Sequence, residues 1–270
     1  MFKPPYAEDR TYGGVRGSGE VLLLTLYSIQ KNRYNNFMIK NYQKDLDYSY
    51  TEGFFPTFEL IHNRPDKLRI VYVSPDAVNT PGYEKLLTRV DNKKIVVSAK
   101  AFSVTKSKEN AHVLGVFSKF ESVLDPKACH LVRVNPSDRG NLGNARRTLL
   151  AFGFHDLALI TPCADYFSPK AVRASRGALF HLRIETFSSF EDYLKAYSRP
   201  YYPFVLDTSS PLKDVKFKKP CSLVFGNEAT GLPKEIHNEN NIRIEQSDEV
   251  DSLNLTTSIA IGLYELKRQG

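Results

Sequence analysis

From residue 130 onward the chain repeats one pattern: a short apolar or β-branched run, a stretch with helical spacing, then another such run. The runs are His130 to Val134, Leu157 to Thr161, Phe204 to Asp207, Ser222 to Phe225 and Asn241 to Ile244. Helical stretches cover about Leu142 to Phe152, Ser188 to Ala196 and Ser252 to Arg268. The runs lack in/out alternation, and strands apolar on both faces predict a mostly parallel sheet with helices on each side. A smaller α/β pattern precedes this one. It comprises helix Phe54 to His62, strand Leu68 to Val73, helix Tyr83 to Val90, strand Lys94 to Val97 and strand Ala111 to Phe120.

The expected organisation is therefore an arm over residues 1–50, a small α/β domain over 51–122, and a larger α/β domain over 128–270, with Asp125-Pro126 in the linker between them. The arm combines a Gly-rich patch, Gly13 to Gly19, with an apolar run, Val21 to Tyr27. It holds at most one helix. Because no strand precedes the patch, it is weak as a dinucleotide loop. The longest apolar stretches fall far short of the roughly 20 residues a bilayer crossing needs. No charged-then-apolar leader opens the chain, and a cytoplasmic location is expected. Cys129, Cys163 and Cys221 are odd in number and have no Cys-x-x-Cys spacing, which indicates neither a disulfide framework nor a zinc site.

Charge narrows the partner. Residues 61–219 hold 26 basic against 15 acidic side chains, whereas residues 220–270 hold 4 against 8. A basic middle of this kind is the electrostatic footprint of a phosphate-backbone binder, although charge alone leaves nucleic acid at even odds.

Four segments of the larger domain carry chemistry. Asn141-Leu142-Gly143, followed by Arg146-Arg147, sits where a strand opens into a helix. The glycine permits close approach of backbone or ligand. Arg147, six residues after Asn141, is expected to point from the first helical turns toward whatever the strand ends bind. A basic segment carries Lys170, Arg173 and Arg176, which a solvated face would also explain. Phe225-Gly226-Asn227-Glu228 and Gly231 form a tight turn at the carboxyl end of a strand, where open α/β sheets bind ligands. Finally Ile244 precedes Ser252-Leu253-Asn254, in which Ser252 or Asn254 would also serve as a helix N-cap.

In this order and spacing the segments resemble the SpoU (TrmH) family of the SPOUT superfamily, the RNA ribose 2′-O methyltransferases. The three family motifs, Asn-x-Gly-x-x-x-Arg, Gly-x-Glu-x-x-Gly-Leu and a final Ser-Leu-Asn, are all present, and the resemblance runs from about Cys129 to Gln269. Residues 52–120 look, more weakly, like the small ribosomal-protein-like RNA-binding domain often fused ahead of this catalytic domain. The resemblance implies a deep C-terminal trefoil knot, which general topology rules would disfavour. It further implies S-adenosylmethionine as methyl donor, held at Gly226, Ile244 and Leu253, and no metal. It also implies a homodimer through the final helix that places one subunit's motifs beside its partner's. Two positions depart from the family pattern: Gln246 stands where Met is common and Ala229 where Gly is frequent.

Methyl transfer from a sulfonium to a ribose hydroxyl needs alignment and removal of the hydroxyl proton. By resemblance Arg147 activates or orients that hydroxyl. Asn141, Glu228, Ser252 and Asn254 hold Arg147, the ribose and the knot loops, and Lys170, Arg173 and Arg176 bind RNA. Ribosomal RNA is favoured over tRNA because the small domain supplies a second RNA contact. A non-catalytic RNA-binding protein of the same fold is the alternative from another class. It would be expected to have lost Arg147, Glu228 or Asn254.

Overall fold

The computed structural model describes residues 37–107, 110–247 and 249–270; the Gly-rich patch and the apolar run of the arm lie outside them. Residues 39–270 form one compact unit built on two sheets. The first has four strands in the order β1-β4-β2-β3, formed by β1 (Tyr48–Tyr50), β2 (Leu68–Val73), β3 (Ile95–Val97) and β4 (Val113–Ser118). β4 runs antiparallel to both neighbours, and β2 and β3 are parallel. Helix α1 (Phe54–Asn63) packs on β4, and α2 (Pro81–Leu87) and α3 (Ala99–Thr105) flank β3 in sequence. β1 and α3 are additions to the pattern expected from sequence. Both are short, and α3 owes its start to Ser98, whose hydroxyl accepts from the Ala101 N–H at 3.3 Å.

The second sheet has five strands, all parallel, in the order β7-β6-β5-β9-β8. They are β5 (His130–Val134), β6 (Asp156–Ile160), β7 (Arg183–Phe187), β8 (Tyr201–Pro203) and β9 (Ser222–Phe225). Every residue of β5, β6 and β9 is buried. Alternate side chains feed two cores: Leu131, Leu157, Leu159, Leu223 and Phe225 enter one, and Val132, Val134, Ala158, Ile160 and Val224 the other. This two-sided burial is why the strands read as continuous apolar runs. Helices α4 (Arg139–Ala151), α5 (Pro169–Ser175), α6 (Phe190–Ala196) and α7 (Leu255–Arg268) complete the unit. Among the described residues no helix is long and apolar enough to cross a membrane.

The first core also takes in Leu60, Val71, Val113 and Phe117 from the four-stranded sheet. Phe117 meets Phe180 edge-on at 5.1 Å, and Arg64 Nε donates to the Phe180 carbonyl at 3.2 Å. Residues 122–125 are strapped to the larger sheet: Ser122 Oγ donates to Ile184 O at 2.9 Å and the Asp125 N–H to Asp156 at 2.8 Å.

Two strand expectations are corrected. The run Phe204 to Asp207 is not a strand. β8 ends at Pro203, the Phe204 N–H continues the ladder for one residue by donating to Val224 O at 2.9 Å, and the chain then leaves the sheet. The run Asn241 to Ile244 instead passes between the two limbs of the 204–212 loop. Ile242 donates to Pro203 O and accepts from the Val205 N–H, at 2.8 and 2.9 Å. Arg243 donates to Ser210 O and its carbonyl accepts from the Leu212 N–H, both at 2.9 Å. Ile242 and Ile244 alternate with polar neighbours as a half-buried strand would, but among the described residues the segment makes isolated bridges only at Ile242 and Arg243.

Candidate active site

α4 is set by its first turn. Asp138 caps it, accepting from the Asn141 N–H at 2.6 Å. Gly143 lets α4 meet α5, since a Cβ there would lie 2.4 Å from Ala174 Cβ and 2.9 Å from Ala171 O. The glycine therefore serves backbone packing. Arg146 completes the joint: it is fully buried and donates to the carbonyls of Leu142, Tyr166 and Ala171, at 3.3, 3.1 and 2.5 Å. Burial brings its ordinarily very high pKa down to about 9. Arg147, one residue on, is exposed and has no hydrogen-bond or ion-pair partner among the described residues.

Beyond the end of β9 lies a cavity of about 480 Å³. Asn141, Gly226, Glu228, Ile244, Ser252, Leu253 and Asn254 all line it, so seven sequence-predicted positions from three distant segments converge. Asn227 and Gly231 close the glycine loop with reciprocal backbone bonds of 3.1 Å, Gly231 at φ 69°. Asn227 Oδ1 accepts from the Ala229 N–H at 2.8 Å while Nδ2 donates to Asn135 O at 2.7 Å. Asn254 is the N-cap of α7, its side chain accepting from the Thr256 N–H at 2.9 Å. Gln246 staples the neighbouring turn, accepting from the Leu253 N–H at 3.2 Å and donating to Asp251 O at 3.3 Å. An amide at this position can make both bonds, whereas a methionine has no donor and accepts only weakly.

Glu228 is held on two sides. Its Oε1 lies 3.1 Å from Nη2 of Arg133, and Oε2 accepts from the Ser137 N–H and hydroxyl at 3.3 and 3.2 Å. Desolvation pulls its pKa upward, but its own backbone N–H, the Arg133 charge and Ser137 together hold it below the usual carboxylate range. Arg133 is completely buried, also donates to Gly226 O at 3.2 Å, and among the described residues leaves Nε and Nη1 without partners. It was not among the expected site residues. The signal was present, a lone charge inside the apolar run of β5, where its neighbours Val132 and Val134 show that the position is buried.

Glu228→Ala would strand that buried guanidinium. We expect a loss of about 3 kcal/mol in urea unfolding, with Arg133→Met milder because the carboxylate it leaves is 19% exposed and keeps both Ser137 donors, whereas the guanidinium is fully buried. The pair's contribution should be fully present above the ordinary carboxylate pKa and be lost as pH falls through the lowered folded value.

Arg147 does not join the cavity. Six residues of helix carry it roughly 240° around α4 from Asn141. It lines instead a cleft with Asn144, Arg173 and Arg176, which corrects the expectation that it points with Asn141 toward the strand ends. Lys170 faces a further depression with Lys44, Lys106, Arg139 and Arg173. Arg173 is ion-paired to Glu52 at 2.6 Å. Among the described residues no three His, Cys, Asp or Glu side chains form a cluster that could hold a metal ion.

A profile of the SpoU rRNA Methylase family matches residues 128–264, just over half of the chain. The chain belongs to the SpoU family. It is 31% identical over 144 residues to the 23S rRNA (uridine(2479)-2′-O)-methyltransferase of Streptomyces viridochromogenes, a match spanning 50% of each chain. It is 32% identical over 159 residues to a putative tRNA (cytidine(34)-2′-O)-methyltransferase of Geobacillus stearothermophilus, a match covering 53% of this chain and 95% of that one. The solved SpoU methyltransferase AviRb from S. viridochromogenes, in complex with AdoMet, superposes with a TM-score of 0.73 over 92% of this chain and 98% of its own, at 19% identity. That likeness concerns the fold and covers both sheets of this SpoU chain. Asn141, the 226–231 loop and residues 252–254, which meet at the cavity, all lie within the matched range.

Proposed function

We propose that the protein is an S-adenosylmethionine-dependent RNA methyltransferase acting on a ribose 2′-hydroxyl, with ribosomal RNA preferred over tRNA. The convergence of all three motifs on one cavity carries this reading. The cavity suits the cofactor in size and lining. Its volume falls within the range of cofactor sites, Phe204, Phe225, Ile242 and Ile244 offer an apolar wall for a purine, and the 227–231 and 252–254 loops offer a polar rim. Bound there, S-adenosylmethionine supplies a methyl group already activated on a sulfonium. Gly226, Ile244 and Leu253 bind it, Glu228 fixes the glycine loop to β5, and Ser252 and Asn254 orient the ribose.

The cofactor segment is read as the core of a trefoil knot, supported by the way Ile242 and Arg243 bond to both limbs of the 204–212 loop. Residues 51–122 are read as the substrate-binding domain, residues 128–270 as the knotted methyltransferase domain, and residues 1–50 as an arm. The named specificities of the relatives, 23S rRNA and tRNA, leave both RNA classes to the experiment.

A homodimer completes the site. Arg147 cannot serve the cavity of its own chain, but α4 packs against α7, and Tyr264 of α7 is 58% exposed beside Phe152, with ring centroids 6.3 Å apart. Pairing through α7 would bring the partner subunit's Arg147 to this cavity. Mixing inactive Arg147→Ala and Asn254→Ala proteins should then restore about a quarter of wild-type activity, because each mixed dimer keeps one intact composite site. No recovery after subunit exchange, or a monomer in sedimentation, would reject the composite site. The activity itself is tested by transfer of labelled methyl from S-adenosylmethionine to RNA. An alkali-resistant ribose is expected, and label on a base would overturn the reading.

A further inference from the structure

The second cleft, of about 410 Å³, lies where the first turn of α1 meets α4 and α5. Its floor is aromatic. α1 buries Thr57, Leu60 and Ile61, and Phe55 falls off that face and is 55% exposed. An exposed phenylalanine is uninformative alone, but this one is ringed by cations. The Arg176 guanidinium stands 5.9 Å from the ring centroid, and Arg147 and Arg173 line the same cleft.

The arrangement is built into the backbone. Arg176 ends α5 in the left-handed conformation, φ 47° and ψ 45°, which a glycine or asparagine would adopt at less cost. Gly177 follows at φ 89°, and a Cβ there would meet Glu59 Cγ of α1 at 2.5 Å, so the turn is pressed against the helix that carries Phe55. Arg173 is neutralised by Glu52, whereas among the described residues Arg147 has no partner and Arg176 has only the ring. Three arginines against one carboxylate leave the cleft net cationic. A flat apolar face beside free guanidinium groups suits a nucleobase with its phosphate, and suits an acidic peptide poorly, since the exposed ring would contribute nothing to it.

We propose that this cleft binds an unpaired nucleotide of the RNA, its base stacked on Phe55 and its flanking phosphate on Arg176. The proposal rests on the RNA methyltransferase reading and adds a second anchor outside the cofactor cavity of the same chain, one indifferent to base identity because every base presents a π-face.

The chain contains no tryptophan, so Phe55→Trp gives a single reporter. Its emission should be quenched on titration with a ten-residue oligoadenylate. It should not respond to an abasic oligomer of the same length or to polyglutamate. Introducing Arg176→Ala should weaken the oligoadenylate response. In the otherwise wild-type chain, Phe55→Ala should weaken oligoadenylate binding about tenfold or more and raise KM for substrate RNA with kcat kept, and Phe55→Tyr should restore both. Absence of quenching, an equal response to polyglutamate, or unchanged affinity in a Phe55→Ala protein folded by circular dichroism would overturn the subsite. None of those results touches methyl transfer by the unaltered protein. Conversely, a protein that binds oligoadenylate through Phe55 but transfers no methyl group would sink the enzymatic reading and leave the subsite standing.

Discussion

Arg147→Ala is expected to lower methyl transfer by about 10²- to 10⁴-fold, the range associated with losing a group that handles a proton in the transition state. Affinity for S-adenosylmethionine should be unchanged. The side chain is exposed and lines a different cleft from the cavity holding the other motif residues, so its removal leaves that cavity's walls intact. The neighbouring Arg146→Ala should fail in a different way. It would delete a fully buried guanidinium and leave the carbonyls of Tyr166 and Ala171 without their donors. Each buried group left so costs about 1–3 kcal/mol, and a lowered unfolding midpoint should accompany any loss of activity. Single-turnover assays alongside calorimetric titration of the cofactor separate the two outcomes. If Arg146→Ala were stable and inactive while Arg147→Ala kept its rate, the assignment of the acting arginine would be reversed.

Gly226→Val is expected to abolish cofactor binding in calorimetry. The cause lies within the loop itself. A Cβ at residue 226 would lie 2.2 Å from the carbonyl carbon and oxygen of Gly231 and 2.5 Å from the Leu232 nitrogen. These are backbone atoms that cannot rotate away as a side-chain tip would. Gly231 must therefore move, and with it the reciprocal Asn227–Gly231 bonds and the position of Glu228 on Arg133. Gly226→Ala already incurs this overlap and should lose much of the affinity. Retained binding by the valine variant would place the cofactor elsewhere.

The parallel sheet was legible because strands buried on both faces advertise themselves as unbroken apolar runs; β5 and β9 match their expected limits residue for residue. β7 was missed for the opposite reason. It is an edge strand, Arg-Ile-Glu-Thr-Phe, in which only Ile184 is buried, so the sequence alternates as a surface segment would. At the site, motif spacing located seven lining residues but misjudged Arg147, because distance along a helix says little about direction around it. Of the two openings expected at Gly143, backbone or ligand, it is the backbone of α5 that comes close, and the room at Gly226 is taken by Gly231. Such tertiary packing has no local signature. Arg133 lies inside the expected run His130 to Val134, but a charge in an apolar run does not say which distant partner it meets, here Glu228.

The passage of Ile242 and Arg243 between two limbs of one loop also has a consequence in time. Their amide hydrogens are bonded to carbonyls on either side, Pro203 at the end of β8 and Ser210 in the loop, and neither can meet solvent deuterium until those segments part. Exchange at 242–243 should therefore follow the slowest openings of the molecule. At Ala229 and Thr230 the amides are held by a single exposed asparagine oxygen and should exchange far sooner. The pocket should thus have one slow wall and one fast wall, and a ligand entering it would leave its mark in deuterium uptake on the fast wall first.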